Sequence, residues 1–367
     1  MVQSSKQESE CQGADIMVIF LNLCGHNEEN MAKKVTMMDI ARAANVSQTT
    51  VSLVLNQSQS IQISEETRDK VLSVADELGY AKKPSFSRSQ EPKKIALILD
   101  SISDHDPFMD AISTIWSSAC EYNYLISTFY FGNNPNLEQQ IQAEISCNDT
   151  YVGVIYASSV TRRDLALKIK PDLPMVLLNC SAKNNLLLPS ILPADLHGGY
   201  VATEHLVSQG YKNIAIITGE SWMDCSTQRL EGYKQALIDH NMVPKSANIL
   251  EGDWSLNKAY KQTMKLLALA NRPDAIFCCS DYMAMGCYQA INESGLKVGK
   301  DIAVIGYDNA SHAQELEPQL SSVELPYARM GEEALSRIDT LVKQQPLLQM
   351  AMNIPSELFV RGSTPKL

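Results

Sequence analysis

What this sequence lacks narrows its chemistry before any motif is read. It has no G-x-x-x-x-G-K-[ST] loop to cradle phosphates, no G-x-S-x-G nucleophile elbow and no His/Cys group at metal-ligand spacing. Nucleotide hydrolysis, serine-type acyl transfer and a metal centre are therefore not expected, and no catalytic residue, metal ligand or cofactor is assigned. Nine cysteines occur, Cys278 and Cys279 side by side, but none forms a C-x-x-C pair. That leaves neither a zinc ribbon nor a readable disulfide framework and fits buried thiols in a reducing cytoplasm. Long apolar runs are missing as well. The stretch from Ile16 to Cys24 is shorter than the roughly 20 residues a spanning helix needs. It also lacks a clear basic flank and a small-residue cleavage site, so no membrane span or export signal is expected there. Net positive charge is absent too: the whole chain carries -11.

What is present starts with size. A chain of 367 residues, 45% of them hydrophobic, has material for two or three domains with real cores. The most specific segment is Val35 to Asn56, VTMMDIARAANVSQTTVSLVLN, which holds two short helical patterns separated by Asn45-Val46-Ser47. Thr36 with Asp39 three residues later forms a capping pattern, and Ile40, Ala41 and Ala44 make one apolar stripe. In the second pattern Val51, Val54 and Leu55 point inward, which turns Gln48, Thr49, Ser52 and Leu53 elsewhere. A third helix follows, with Ser64 as its N-cap, Glu65 and Glu66 in its first turn, and Val71, Val74, Ala75 and Leu78 as its expected inner face; Gly79 should end it. This is the layout of a helix-turn-helix that enters the major groove. Charge is distributed accordingly. Residues 1–30 hold 1 basic and 5 acidic side chains, 31–94 hold 10 and 7, and 95–367 hold 20 and 30, so only the middle segment is positive. Phosphate contact is then local, and the small excess calls for two such units acting together.

The run from Val35 through Tyr80 resembles the DNA-binding headpiece of the lactose-repressor (LacI/GalR) family, matching its pattern VT-x-x-DIA-x-x-A-x-VS-x-x-TVS-x-x-LN almost position for position. The resemblance continues through most of the remaining chain. It implies base readout by Gln48, Thr49 and Leu53, and phosphate contact by Thr36, Ser47, Ser52 and Asn56. The hydroxyls of Thr36 and Ser47 suit helix capping equally well. Many members carry arginine at the position of Leu53. Leucine cannot form the bidentate contact to guanine, so a different base, met through a thymine methyl, is expected there.

Residues 31–80 are thus expected to form the DNA-binding domain, with Met31 as its start and 1–30 as a disordered or wrongly assigned extension. Residues 81–94, AKKPSFSRSQEPKK, read as a linker. Here the chain departs from the Asn-x-x-Ala-Arg-x-Leu hinge helix of lactose-repressor relatives. Phe86 is the candidate minor-groove wedge, and a flexible tether is the alternative.

From Ile95 to Leu367 apolar runs alternate with helical stretches: IALILD at 95, YLISTFYF at 124, GVIYAS at 153, MVLLN at 175, IAIITG at 214, AIFCCSD at 275 and IAVIGYDN at 302. Repeated βα winding of this length indicates two α/β lobes with doubly wound parallel sheets, and the last third should return between them. This is similar to the periplasmic-binding-protein-like effector domain of the family, which also supplies dimer contacts. Ligands of such sheets sit at the carboxyl ends of strands. Asp308, in GYDN, is a candidate acceptor for ligand hydroxyls, against a turn-capping role. Arg229 aligns with an effector-clamping arginine, against a surface salt bridge. Phe108 follows the first strand in a Pro-Phe step that stacks on ligand in relatives, against core packing. Trp254 ranks below these as an effector contact. Asp281 reads as an N-cap.

The resemblance therefore implies a cytoplasmic repressor without enzymatic activity or membrane partner. It would bind a near-palindromic double-stranded operator as a homodimer or higher homo-oligomer, under control of a sugar, nucleoside or related small metabolite. The alternative from another class is a solute-binding protein for transport.

Overall fold

The computed structural model describes residues 35–55, 63–78, 80, 93–102, 107–165, 173–182 and 188–367, the side chains of 163–165 excepted. The expectations for residues 1–30, Met31, Asn56, Gly79 and Phe86 fall outside the described residues. The chain divides into two units, Met1–Ser89 and Gln90–Leu367.

Among the described residues three helices make the first unit: α1 (Met37–Ala44), α2 (Gln48–Leu55) and α3 (Glu65–Glu77). Thr36 closes a capping box with Asp39, and Asn45, left-handed at φ 55°, turns the chain out of α1. Ser64 caps α3 by accepting from the Thr67 amide. Ile40, Ala44, Val51, Val54, Leu55, Val71 and Ala75 form the core where the helices meet. The inner face of α3 is narrower than its sequence suggests: Val74 is half-buried and Leu78 is 39% exposed. Leu78 is the C-cap, beyond the last helical residue, so the helical repeat no longer aims it at the core.

Among the described residues the second unit contains two six-stranded sheets. The first is built from β1 (Lys93–Leu99), β2 (Tyr124–Tyr130), β3 (Tyr151–Leu165), β4 (Met175–Ala182), β5 (Ser190–Pro193) and, near the chain end, β11 (Ala351–Ile354). The second is built from β6 (Ile214–Thr218), β7 (Ile249–Glu251), β8 (Ala275–Cys278), β9 (Ala303–Asp308), β10 (Ser321–Glu324) and β12 (Leu358–Phe359). Their orders are β11-β5-β4-β3-β1-β2 and β12-β10-β9-β8-β6-β7. All pairings are parallel except that of the short edge strand β12 with β10. Helices α4 (Met109–Ser118), α5 (Pro135–Cys147), α6 (Asp195–Ser208), α7 (Asp224–Asp239), α8 (Leu256–Leu267), α9 (Asp281–Glu293) and α10 (Tyr327–Val342) connect the strands. Ile95 to Leu99 and Ile214 to Ile217 are buried along their length, the mark of strands sandwiched between helices. β1 begins at Lys93, two residues inside the segment read as linker.

The order repeats in both lobes: each sheet's first strand lies between its second and third. The chain therefore winds away in opposite directions from the gap between β1 and β3, and from the gap between β6 and β8. Such gaps open a crevice at the strands' carboxyl ends. The chain crosses between the lobes three times, from β5 into α6, from β10 into α10 and from β11 into β12. Each crossing leaves from the carboxyl end of a strand, so those ends face the hinge. The crossings are bonded side by side, Ala194 N–H to the Ile354 carbonyl at 2.9 Å and Glu324 N–H to the Glu357 carbonyl at 2.8 Å. Arg329, at the start of α10, donates to the Glu324 carboxylate at 3.0 Å and to the Pro355 carbonyl at 2.8 Å, tying the second crossing to the third.

Candidate functional site

In the helical unit, two hydroxyls fix where the helices begin. The Ser47 hydroxyl accepts from the Thr50 amide at 3.0 Å and shares a hydrogen bond with the Thr50 hydroxyl at 2.8 Å. The Asp39 carboxylate accepts from the Thr36 amide at 2.9 Å and from the Thr36 hydroxyl at 2.7 Å. Gln48 and Thr49 are exposed, Ser52 and Leu53 are half-buried, and Val51, Val54 and Leu55 are buried. α2 has no charged side chain, so its outer edge offers an amide, hydroxyls and one aliphatic group on a helix whose inner face is anchored.

In the second lobe, α6 and α7 cross through glycine. A Cβ on Gly199 would stand 2.2 Å from the Arg229 carbonyl oxygen, and one on Gly232 would stand 2.1 Å from that of Leu196. Only glycine permits this approach, and it brings Arg229 to Asp195. The Arg229 Nε donates to the Asp195 carboxylate at 2.9 Å and a terminal nitrogen donates to the Cys279 carbonyl at 2.6 Å. The guanidinium lies 3.6 Å from the centre of the Tyr307 ring and 5.8 Å from that of Trp254. Arg229 is 3% exposed, so its ion pair with Asp195 is a buried one and not the surface salt bridge weighed as the alternative to effector clamping. Burial opposes its charge, but Asp195 together with Tyr307, Cys225 and Asp308 outweighs that and holds it well above the ordinary arginine range.

Trp254 follows β7 in a left-handed conformation, φ 63°, with its indole over Gly219, where a Cβ would fall 1.9 Å from the ring. Its N–H donates to the Met223 sulfur at 2.9 Å. Asp308 ends β9 at φ 114°, a strained backbone for a side-chain-bearing residue, and accepts from the Asp281 amide at 3.4 Å. Asp281 corrects an expectation. Ser280 caps α9 by accepting from the Met283 amide, because its backbone is extended while Asp281 is already helical. The fully buried Asp281 carboxylate is free to hold the loop beyond β9, accepting from the Ala310 amide at 2.8 Å and the Ser322 hydroxyl at 2.7 Å. Burial raises Asp281 from 3.8 to about 7 and, together with the Asp281 charge, raises Asp308 well above the carboxylate range.

The first lobe presents a second polar cluster. Asp100, immediately after β1, accepts from the Ser158 hydroxyl at 2.7 Å and lies 3.8 Å from Arg162. Asn179, buried and left-handed at φ 58°, donates to the Ser158 carbonyl at 2.9 Å and to the Tyr327 hydroxyl at 3.4 Å, and accepts from Thr161 at 2.8 Å. Phe108 is fully buried with its ring edge-on to Tyr327 at 5.1 Å, the packing alternative of the sequence reading. The structure thus gathers Arg229, Trp254 and Asp308 in the second lobe and leaves Phe108 in the first. Asp195, Tyr307, Asp100 and Asn179 were not singled out from sequence. Asp100 and Asn179 close the runs IALILD and MVLLN, the position where polar residues repay scrutiny. Nothing in the sequence links Asp195 to Arg229. Among the described residues no group of three or more His, Cys, Asp or Glu side chains is arranged to hold a metal.

Residues 36–83 match the family described as bacterial regulatory proteins, lacI family, and residues 203–364 match the periplasmic binding protein-like domain. Over 316 residues the chain is 34% identical to the ribose operon repressor of Haemophilus influenzae, covering 84% of this chain and 91% of the relative. This chain belongs to the lacI family of bacterial regulatory proteins. A second relative of this LacI-family regulator is the probable HTH-type transcriptional repressor ExuR of Bacillus subtilis, 32% identical over 91% of this chain and 99% of the relative. The crystal structure of the lac repressor dimer bound to operator and the anti-inducer ONPF superposes with TM-score 0.69 and 27% identity, covering 91% of this chain and all of that one. The LacI-family protein is accordingly a DNA-binding transcriptional regulator with a helix-turn-helix unit and a two-lobed α/β domain. A solute carrier for transport is not favoured. Among the described residues no helix is long and apolar enough to cross a membrane.

Proposed function

We propose that this protein is a cytoplasmic homodimeric repressor that reads its operator through α2 and releases or grips it according to the occupancy of the crevice between the lobes. Gln48, Thr49 and Leu53 face base edges, Leu53 against a thymine methyl. Thr36, Ser47, Ser52 and Asn56 set the register on phosphates. In the crevice Arg229 and Asp308 hold ligand polar groups, Trp254 supplies an apolar face, and Phe108 with Tyr327 backs the first lobe. The ligand is a small metabolite of sugar or nucleoside type, and no catalysis is involved.

The observation that carries this reading is Arg229. A buried guanidinium fixed by Asp195 and stacked on Tyr307 stands beside a strained carboxylate at the carboxyl end of β9, the edge where open sheets take ligands. A ligand shifts an equilibrium only through different affinities for two states. Closing or twisting the lobes about the three crossings changes what Arg229 and Asp308 oppose, and so supplies that difference. The test is Asp308→Ala in an operator-binding titration with effector. Retained operator affinity with lost effector response supports the assignment. An unchanged response refutes it, and loss of both activities marks a folding defect.

A further inference from the structure

We infer that Arg329 is the positioning residue of the hinge: by gripping the second and third crossings at once it sets the balance between lobe arrangements, and with it operator affinity. This rests on the reading that lobe arrangement governs the grip on DNA. Arg329 lies in the first turn of α10, a helix that packs on α4 and against β3, β4 and β5 and so belongs to the first lobe. A cation there is opposed by the helix dipole, and that turn contains no acid to offset it. The compensation comes from across the hinge. One terminal nitrogen donates to the carboxylate of Glu324, the last residue of β10 in the second lobe, and to the carbonyl of Pro355 in the third crossing. The other lies 3.6 Å from the carboxylate of Glu357, where that crossing enters β12. A planar guanidinium holds such partners at fixed spacing, which a flexible ammonium does not.

Both gripped crossings touch the groups assigned to the effector. Glu324 is paired with Asp308 in the register of β10 on β9, and the next amide, that of Leu325, donates to the Asp308 carbonyl at 3.3 Å. Two residues further on, the Tyr327 hydroxyl accepts from Asn179 in the first lobe. In the third crossing, Ser356 stands between Pro355 and Glu357. It is buried, and its hydroxyl shares a hydrogen bond at 3.2 Å with that of Tyr307, the ring on which Arg229 stacks. A change of lobe angle moves Glu324 and Glu357 relative to α10, and a ligand seated on Arg229 and Asp308 pulls on the same two segments. The Arg329 side chain is 38% exposed, so water screens the clasp. It biases the equilibrium between lobe arrangements without locking one, which is the condition for a ligand to shift it.

The experiment compares the wild-type full chain with Arg329→Met and Arg329→Lys by amide hydrogen exchange and by titration on a duplex selected from randomised sequences. The Ala194 and Glu324 amides bond across adjacent crossings, so their exchange reports the clasp with neither DNA nor ligand present. The inference expects Arg329→Met to speed exchange at both by about three- to tenfold and to move operator affinity by a similar factor. Core amides such as those of Ile40, Val51, Ile216 and Ile276 should exchange as in wild type, and Arg329→Lys should recover part of both effects. A loss of operator affinity assigns the described lobe arrangement to the DNA-competent state, and a gain assigns it to the released state. Unchanged exchange at both crossing amides overturns the clasp. Faster exchange there with unchanged operator affinity keeps the clasp and overturns the reading beneath it, that lobe arrangement governs DNA binding. Faster exchange at the core amides as well marks general destabilisation and overturns a role specific to the hinge.

Discussion

Single residues decide the geometry of the crevice. Gly199 and Gly232 let α6 and α7 touch backbone to backbone, and Arg229 reaches Asp195 because of that approach. Gly199→Ala should therefore lower stability by about 1–3 kcal/mol, the usual cost of overpacking, and should weaken ligand binding more than operator binding. Thermal melts with and without ligand check both effects. Asp281 gives a pH signature. Its proton is held more tightly in the folded chain, about 7 against the ordinary 3.8, so its contribution favours the fold at acid pH and is lost as pH rises from about 4 to about 7. Asp281→Asn removes the ionisation. Between pH 5 and 8 the wild type should lose more melting temperature than the variant, and parallel losses would contradict the assigned burial of charge. Asp308 and Arg229 stood out in the sequence because they sit in recognisable local words. Asp195 did not: its role exists only once α6 lies on α7, thirty-odd residues along the chain.

Elements were legible where local physics fixes them. Thr36 with Asp39, and the stripe Val51, Val54 and Leu55, announce α1 and α2 because capping and helical periodicity need no tertiary information. Six of the seven apolar runs are strands for a similar reason, since covered parallel strands cannot alternate with polar residues; the seventh, β2, is a half-exposed edge strand. β5, β7, β10, β11 and β12 escaped because two to four residues form no run, and their pairing is set by neighbours distant in sequence. The same lack of local signal hid the narrowing of α3 at Leu78, where the helix simply ends. Ser47→Ala deletes the cap of α2 and should cost the helical unit about 0.5–2 kcal/mol, with weaker operator binding across all sequences and no change of preference. Replacing Thr49 and Leu53 together should do the opposite, altering the preferred operator while leaving the unit's stability near wild type. Selection from randomised duplexes distinguishes the two, and an unchanged preference would refute the readout role.

The whole molecule joins a positive helical unit to an acidic two-lobed body, +3 for residues 31–94 against -10 for 95–367, so DNA attraction is confined to one end of the chain. Its fold class was readable from sequence because both halves speak in strong periodicities. The ligand was not, because the set of polar groups that lines a site at the strand ends is a property of the assembled lobes. The measurement that reaches furthest is fluorescence anisotropy of the full chain on its selected duplex at moderate ionic strength, against bulk competitor DNA and with candidate ligands present or absent. The account predicts a preference of about 1,000-fold or more for the selected duplex, moved by a small metabolite of sugar or nucleoside type. Equal affinity for selected and bulk DNA, with and without ligand, would contradict it.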